Sequence, residues 1–316
     1  MLKSRRLSVA VLSTAAVLVF ASCAGSSTPE AQGNEELTVY ATTGYLADAV
    51  ENIAPDAEVI TMVGPGGDPH TYQPSTQDIQ TIEESDVVLW NGLHLEAQMI
   101  DILQAQGDSQ LAVADQLPED MLLSWPETDD RGNAFHDPHV WNSPEAWSLV
   151  VDHVAEKLAA ADPEHSEDYR ANAETYQQEI ADTAAEVEDL LADVPEPRML
   201  ITGHDAFNYF GETYDLDVRA TDYVSTEAAL SASELSELAD LTADHEVPVI
   251  FQDNQANPQA ITSLQEAVRD RGWEVEVSNQ ELYADSLGAE EGVETYLGVF
   301  EHNANAIADA LGEGTE

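Results

Sequence analysis

Between Asp162 and Pro195 the chain carries one uninterrupted helical segment, and that feature limits what the rest can fold into. Tyr169, Ala173, Tyr176, Ile180, Ala184, Val187 and Leu191 follow one another at spacings of three or four, which puts them on a single apolar stripe. Asp162 suits the N-cap, Pro163 suits the first helical position, and Pro195 and Pro197 end the run. About 30 residues at 1.5 Å each span roughly 45 Å, enough to run the height of two packed lobes. A flexible hinge would be built from glycine and loop residues instead. This connection reads as stiff.

On both sides of it, short β-branched strands alternate with amphipathic helices. Leu37–Thr42, Glu58–Val63, Val87–Asn91 and Leu111–Ala114 read as strands, with helical spacing over Tyr45–Ile53, Thr76–Glu84 and Leu95–Gln104. The pattern restarts with Met199–Gly203, Val218–Thr221, Val249–Gln252 and Glu274–Val277, separated by helical segments near 205–214, 231–244 and 258–271. Such alternation implies parallel sheets covered by helices. The expected fold is α/β: two parallel-sheet lobes joined by one long rigid backbone helix. The expected boundaries are a lobe at 37–161, the linking helix at 162–194 and a second lobe at 195–316.

Charge narrows the function. The 316 residues include 62 Asp plus Glu against 10 Lys plus Arg, a formal charge of −52. A surface this negative repels phosphate backbones and anionic lipid headgroups, which excludes nucleic acid as a partner through a basic face. It can attract cations. A solvated coat suited to a salty exterior is the plainer reading of the same acidity.

Three of the basic residues, Lys3, Arg5 and Arg6, precede an apolar run from Leu7 to Phe20. A basic start, an apolar core and small residues at Ala21 and Ser22 read as a secretory signal over 1–22, too short to span a bilayer permanently. The single cysteine, Cys23, stands where that signal would be cut, and Ala21-Ser22-Cys23-Ala24-Gly25 resembles the lipobox of bacterial lipoproteins. The resemblance implies lipidation at Cys23 and a membrane anchor, with 23–36 as a flexible tether. Phe20 departs from the leucine usual at the first lipobox position. With one cysteine no disulfide can form within the chain, so the fold stands on its core.

The chemical signal occurs twice. Asp68-Pro69-His70-Thr71-Tyr72 and Asp137-Pro138-His139-Val140-Trp141 share Asp-Pro-His-x-aromatic. Proline fixes the backbone before each imidazole and reduces the entropy lost when that imidazole is held. A lone loop histidine is usually a surface residue; two in one rigid setting point to a metal site.

With these motifs the chain resembles the solute-binding lipoproteins of bacterial ABC importers for zinc, manganese and iron, the metal-binding cluster A-I family. The resemblance runs from about Thr38 to Leu311. It rests on Val63-Gly64-Pro65-Gly66-Gly67-Asp68-Pro69-His70-Thr71-Tyr72-Gln73-Pro74, on Asn91-Gly92-Leu93-His94-Leu95-Glu96, and on the second Asp-Pro-His. Further on it rests on Gly203-His204-Asp205-Ala206-Phe207-Asn208-Tyr209-Phe210 and Leu282-Tyr283-Ala284-Asp285-Ser286-Leu287-Gly288. It implies metal ligands at His70, His139, His204 and Asp285, a monomeric binding protein that is not an enzyme, and an ABC importer permease as partner. Zinc is the implied ion and manganese the alternative; in the family a Glu at the His204 position goes with manganese or iron.

Rival readings stand beside these. His94 and His136 are competing ligand candidates, read instead as outer groups or groups on the path in. Asp205 and Glu96 are candidates to accept the outer N–H of a ligand imidazole. His153, His165, His245 and His302 read as surface histidines. A secreted zinc hydrolase using the same histidines, with Asp285 or Glu96 as base, is the alternative function; no His-Glu-x-x-His helix or nucleophile elbow supports it. The short stretch Trp125–His136, with one histidine, leaves little room for a metal-gathering His-rich loop.

Overall fold

The computed structural model describes residues 36–128, 134–226 and 229–313. The expected signal peptide, Cys23 and most of the tether lie outside the described residues. In chain order the first part comprises β1 (Thr38–Ala41), α1 (Gly44–Ile53), β2 (Glu58–Thr61), α2 (Thr76–Glu84), β3 (Val87–Trp90), α3 (Ile100–Gln104) and β4 (Gln110–Ala112). Then come the hairpin strands β5 (Ser124–Thr128) and β6 (Ala134–His136) and two long helices, α4 (Pro144–Ala161) and α5 (Ser166–Leu191). The remainder is β7 (Met199–Thr202), α6 (Asn208–Tyr214), β8 (Asp217–Ala220), α7 (Ala232–Asp244), β9 (Val249–Ile250), α8 (Pro258–Arg269), β10 (Glu276–Val277) and α9 (Tyr296–Glu313).

The first sheet is parallel, in the order β2-β1-β3-β4. In the second half β7 pairs with β8 and β9 with β10, both parallel, and the Phe251 N–H donates to Ile201 O (2.7 Å), setting the two pairs edge to edge. The fold is therefore α/β with parallel sheets.

Strand periodicity shows how the layers meet. On β1 and β3, Val39, Ala41, Val87 and Leu89 face one core, while Tyr40, Val88 and Trp90 face another. On β7 and β9, Leu200 and Val249 join that same first core, while Met199, Ile201 and Ile250 face a third. The inner faces of both sheets thus share one continuous core with α1, α4, α5, α6 and α9, supplied by residues such as Trp147, Tyr176, Ile180, Phe210 and Phe300.

The long helix starts later than its sequence suggests. Asp162 is not its N-cap: it is the C-cap of α4, and α5 begins at Ser166. The Asp162 carboxylate instead accepts from the Glu164 N–H (3.2 Å), His165 Nδ1 (2.6 Å) and Tyr169 OH (2.9 Å), knotting the turn between two helices. At the far end Arg198 donates to the carbonyls of Leu191, Val194, Tyr214 and Asp215, closing the ends of α5 and α6 with one guanidinium. The helical spacing read over Leu95–Gln104 is helix only from Ile100. Leu93 and His94 have positive φ (49° and 68°), which breaks the chain out of any earlier helical turn.

One buried carboxylate joins α1, α5 and α9. Asp48, 5% exposed, accepts from Tyr176 OH (2.5 Å) and from the backbone N–H of Tyr296. Burial raises its pKa from 3.8 to about 6, an effect those two donors only partly offset. A carboxyl whose folded pKa lies above its unfolded one stabilises the fold below the unfolded value and loses that contribution as pH rises through the folded one. Asp48→Asn should therefore be close to neutral at pH 4 and gain on the native chain, by up to about 3 kcal/mol, as pH rises past 6. Paired denaturant melts across that range test it; a variant that loses ground as pH rises contradicts the assignment.

Candidate metal centre

Each half of the fold brings residues to the carboxyl ends of its strands, where parallel α/β sheets place their ligands. His204 follows β7 by two residues, and Asp285 follows the parallel bridge between Asp253 and Leu282. Between β7 and His204 only glycine fits: a Cβ on Gly203 would collide with Ala256 and the Asp253 carboxylate. His70 lies in the long loop between β2 and α2, and His139 leads into the short helical turn Val140–Asn142.

The two Asp-Pro-His motifs fold alike at first. The Asp68 carboxylate accepts the His70 N–H (2.8 Å) and the Asp137 carboxylate accepts the His139 N–H (3.0 Å), the same two-residue turn in both. They then diverge. Asp137 Oδ1 also accepts from His139 Nδ1 (2.6 Å), whereas Asp68 Oδ2 takes the hydroxyls of Thr71 (2.9 Å) and Thr226 (2.7 Å).

These elements bring His70, His139, His204 and Asp285 together, with one donor atom from each lying within 4.8 Å of the others. His70 is 2% exposed and the other three 0%. His139 Nε2 lies 3.3 Å from His70 Nε2 and 3.1 Å from His204 Nε2. Asp285 Oδ2 is 3.5 Å from His70 and 3.2 Å from His204, and Oδ1 is 3.3 Å from His139. A tetrahedron whose corners lie ~2.0–2.1 Å from its centre has edges of about 3.3–3.4 Å, so these separations suit a small four-coordinate cation.

The electrostatics suit it too. Neither Asp285 oxygen accepts an aligned hydrogen bond from any described residue, although both are buried. Burial favours the neutral acid, but the His204 and His139 imidazoles outweigh it and hold the carboxyl well below its ordinary range. His139 is driven the other way, from 6.5 up to about 10: burial opposes its charge, and Asp137 and then Asp285 overcome burial. Burial, reinforced by the two neighbouring imidazoles, lowers His70 to about 3. The donor set is a carboxylate and three imidazoles whose Nε2 atoms converge, a combination able to hold a metal ion.

The outer partners differ from expectation. His139 Nδ1 is held by Asp137, which also accepts from Asn208 Nδ2 (3.0 Å) and, at its carbonyl, from Tyr209 OH (3.0 Å). His204 Nδ1 donates to the Tyr223 carbonyl (3.0 Å), which turns Nε2 toward the cluster. Asp205 and Glu96 take neither role. Asp205 accepts from Asn208 (3.0 Å), and Glu96 is tied to Thr42 Oγ1 (2.6 Å), Asn91 N (2.8 Å) and Gly92 N (3.2 Å), where it pins the ends of β1 and β3. His94 is exposed and packs on Phe135 (centroids 4.1 Å apart), and His136 lies on β6; neither belongs to the cluster. His153, His165, His245 and His302 stand apart from it as well. Asn91 escaped the sequence reading: its Nδ2 donates to Pro138 O (2.9 Å) and fixes the second motif from β3.

A parallel α/β body carrying a buried cluster of three histidines and an aspartate at its strand ends points to a metal-binding protein, and comparison with known proteins narrows the class. Residues 39–310 match the family described as zinc-uptake complex component A, periplasmic, and the chain belongs to that family. It is 35% identical to the manganese-binding lipoprotein MntA of Bacillus subtilis over 293 residues, covering 91% of this chain and 94% of that one. To the zinc-binding protein TroA of Treponema pallidum it is 34% identical over 313 residues, covering 97% and 98%. The solved structure of the periplasmic zinc-binding protein TroA superposes with a TM-score of 0.82 at 34% identity, over 87% of this chain and 99% of that one. The family consists of substrate-binding components of metal importers, not enzymes, and the hydrolase alternative finds no support in it.

The elevated His139 pKa gives a direct test of the site's electrostatics. In metal-free protein the His139 ring should stay protonated from pH 5 to 8.5 and show no titration of its ring-carbon NMR signals. In Asp137→Asn, which removes the larger of the two influences that raise it, the titration should move down into that range. A native ring that titrates near 6.5 would contradict the assignment.

Proposed function

We propose that this chain captures a divalent metal ion, zinc in preference to manganese, through His70, His139, His204 and Asp285, and hands it to an ABC importer permease. The observation that carries this reading is the convergence of three imidazole Nε2 atoms and one buried carboxylate, 3.1–3.5 Å apart in every pair but His70–His204. A catalytic zinc keeps a position open for water; here the protein offers a full set of four, which favours capture over chemistry. In this reading the lobe at 37–161 supplies His70 and His139, the lobe at 195–316 supplies His204 and Asp285, and 162–194 joins them. The protein works as a monomer outside the cytoplasm, held to the membrane by a lipid on Cys23. The lipoprotein names of several relatives support the anchor.

Relatives do not separate the two metals, since the manganese-binding MntA and the zinc-binding TroA are equally similar to this chain. Ligand chemistry favours zinc. Imidazole nitrogen suits zinc better than manganese, carboxylate oxygen the reverse, and affinity at a given site rises from manganese toward zinc. Histidine at 204, in place of the glutamate that goes with manganese or iron, adds a third nitrogen.

Two outcomes are expected. His139→Ala or His204→Ala should weaken zinc binding by more than the ~10–100-fold typical of losing an outer partner, with the fold retained by circular dichroism. Unchanged affinity in either variant would remove that residue from the site. In direct competition at equal free concentrations, zinc should displace manganese by at least about tenfold in affinity, and His204→Glu should narrow that ratio. Manganese winning on the native chain would overturn the preference; an unchanged ratio in the variant would show that position 204 does not select.

A further inference from the structure

Three consecutive residues after β9, none of them in the ligand set, reach three of the four ligand-bearing segments. Asp253 Oδ2 accepts the backbone N–H groups of Gly203 (2.9 Å) and His204 (2.8 Å), and its Oδ1 accepts from Gln255 N (3.0 Å). Asn254 brackets Asp285: its Oδ1 accepts from Ala284 N (2.9 Å), and its Nδ2 donates to Ser286 O (3.1 Å) and Oγ (2.9 Å). Gln255 crosses to the other half of the chain, where its Nε2 donates to Gly67 O (2.8 Å), three residues before His70. Ser286 Oγ, already held by Asn254, also accepts from Gly66 N (3.0 Å).

The four segments are not held equally. The His139 segment is fixed by Asn91 and Tyr209, by Asn142 Nδ2 on Ala206 O (2.8 Å) and by Trp141 Nε1 on Ala284 O (2.9 Å), with Trp141 stacked on Tyr45 (5.0 Å). The approach to His70 is Gly64-Pro65-Gly66-Gly67, which has little side chain to bury. Its position against the second half rests on half-buried hydrogen bonds donated by Gln255 and Thr226 and accepted by Ser286.

We propose that Asp253-Asn254-Gln255 is a positioning clamp that holds the segments of His204, Asp285 and His70 in one geometry, and that Gln255 sets how long His70 stays in it. The metal-holding part of this rests on the function proposed above. With Gln255 unable to donate, the His70 segment should leave the cluster more often and the ion should depart sooner, while the rate of capture stays the same. Asp253 and Asn254 act on backbone groups, so they govern the relative placement of His204 and Asp285.

Gln255→Ala and the isosteric Gln255→Glu, which cannot donate to Gly67 O, test the clamp. In metal-free protein, amide hydrogen exchange over 64–72 should quicken about three- to tenfold, the worth of one net hydrogen bond, with 137–142 and the unfolding midpoint unchanged. Zinc dissociation into excess chelator should quicken by the same factor, with association unaltered. Unchanged exchange over 64–72 overturns the clamp whatever the metal does. Faster exchange with native zinc dissociation overturns its role in retention. A native chain that takes up no zinc would instead overturn the function proposed above, and the exchange data, collected without metal, would still judge the clamp.

Discussion

Everything in this fold depends on a core that belongs to neither sheet alone. Leu89 and Val87 from the first sheet and Leu200 and Val249 from the second point into the same apolar interior, filled by Trp147, Tyr176, Ile180, Phe210 and Phe300. Wide separation of the sheets would expose that interior to water, at roughly 25 cal/mol for each Å² uncovered. The joint is therefore stiff for a reason beyond the length of α5. Because strand ends from both halves are fixed to one packed layer, their loops meet at set distances, and a four-donor cluster can be built from two sheets without relying on closure to assemble it.

At the cluster the controlling group is a buried carboxylate that its imidazole neighbours hold well below its ordinary range and that has no aligned donor among the described residues. Asp285 lies in full burial against three imidazoles. Its charge is matched in the metal-free protein by protons on its neighbours, with His139 the strongest holder because Asp137 stands behind it. Under the proposed function, metal uptake and proton release are then one event. The sign follows: lower pH strengthens the competitor and weakens the metal.

Much of this was legible in the sequence, and the failures have physical causes. Strand–helix alternation gave the parallel sheets, and the helix at Thr76–Glu84 falls where its periodicity puts it because Ser75 and Asp78 form a complete capping box. Asp162 misled because a residue with N-cap chemistry also ties turns, and here it gathers His165 and Tyr169. No element was read over α4 or α9, although each has 18 residues. His70 and His139 were visible through the repeated Asp-Pro-His, whereas His204 and Asp285 came only through the family resemblance. Their outer partners were not visible, since a backbone carbonyl such as that of Tyr223 leaves no trace in sequence. The acceptor for His139 was in plain view as the first letter of its own motif, but nothing local distinguishes Asp137 from Asp68, which turns to threonines instead.

That divergence bears on why the proposed metal site would hold an ion and do no chemistry. Hydrolysis needs a carboxylate or imidazole free to take a proton from water. Asp285 turns both oxygens to the imidazoles, Asp137 is engaged by His139 and Asn208, and Asp253 by the backbone of Gly203 and His204. Glu96, the other base a hydrolase would use, is committed to Thr42, Asn91 and Gly92, and burial raises its pKa as well. Asp137, Asp253 and Glu96 are thus committed to holding a loop or an imidazole in place. A centre arranged this way places its chemistry in the fit of the four donors and in the bonds that hold their loops, which is what a receptor that must grip an ion and later release it unchanged requires.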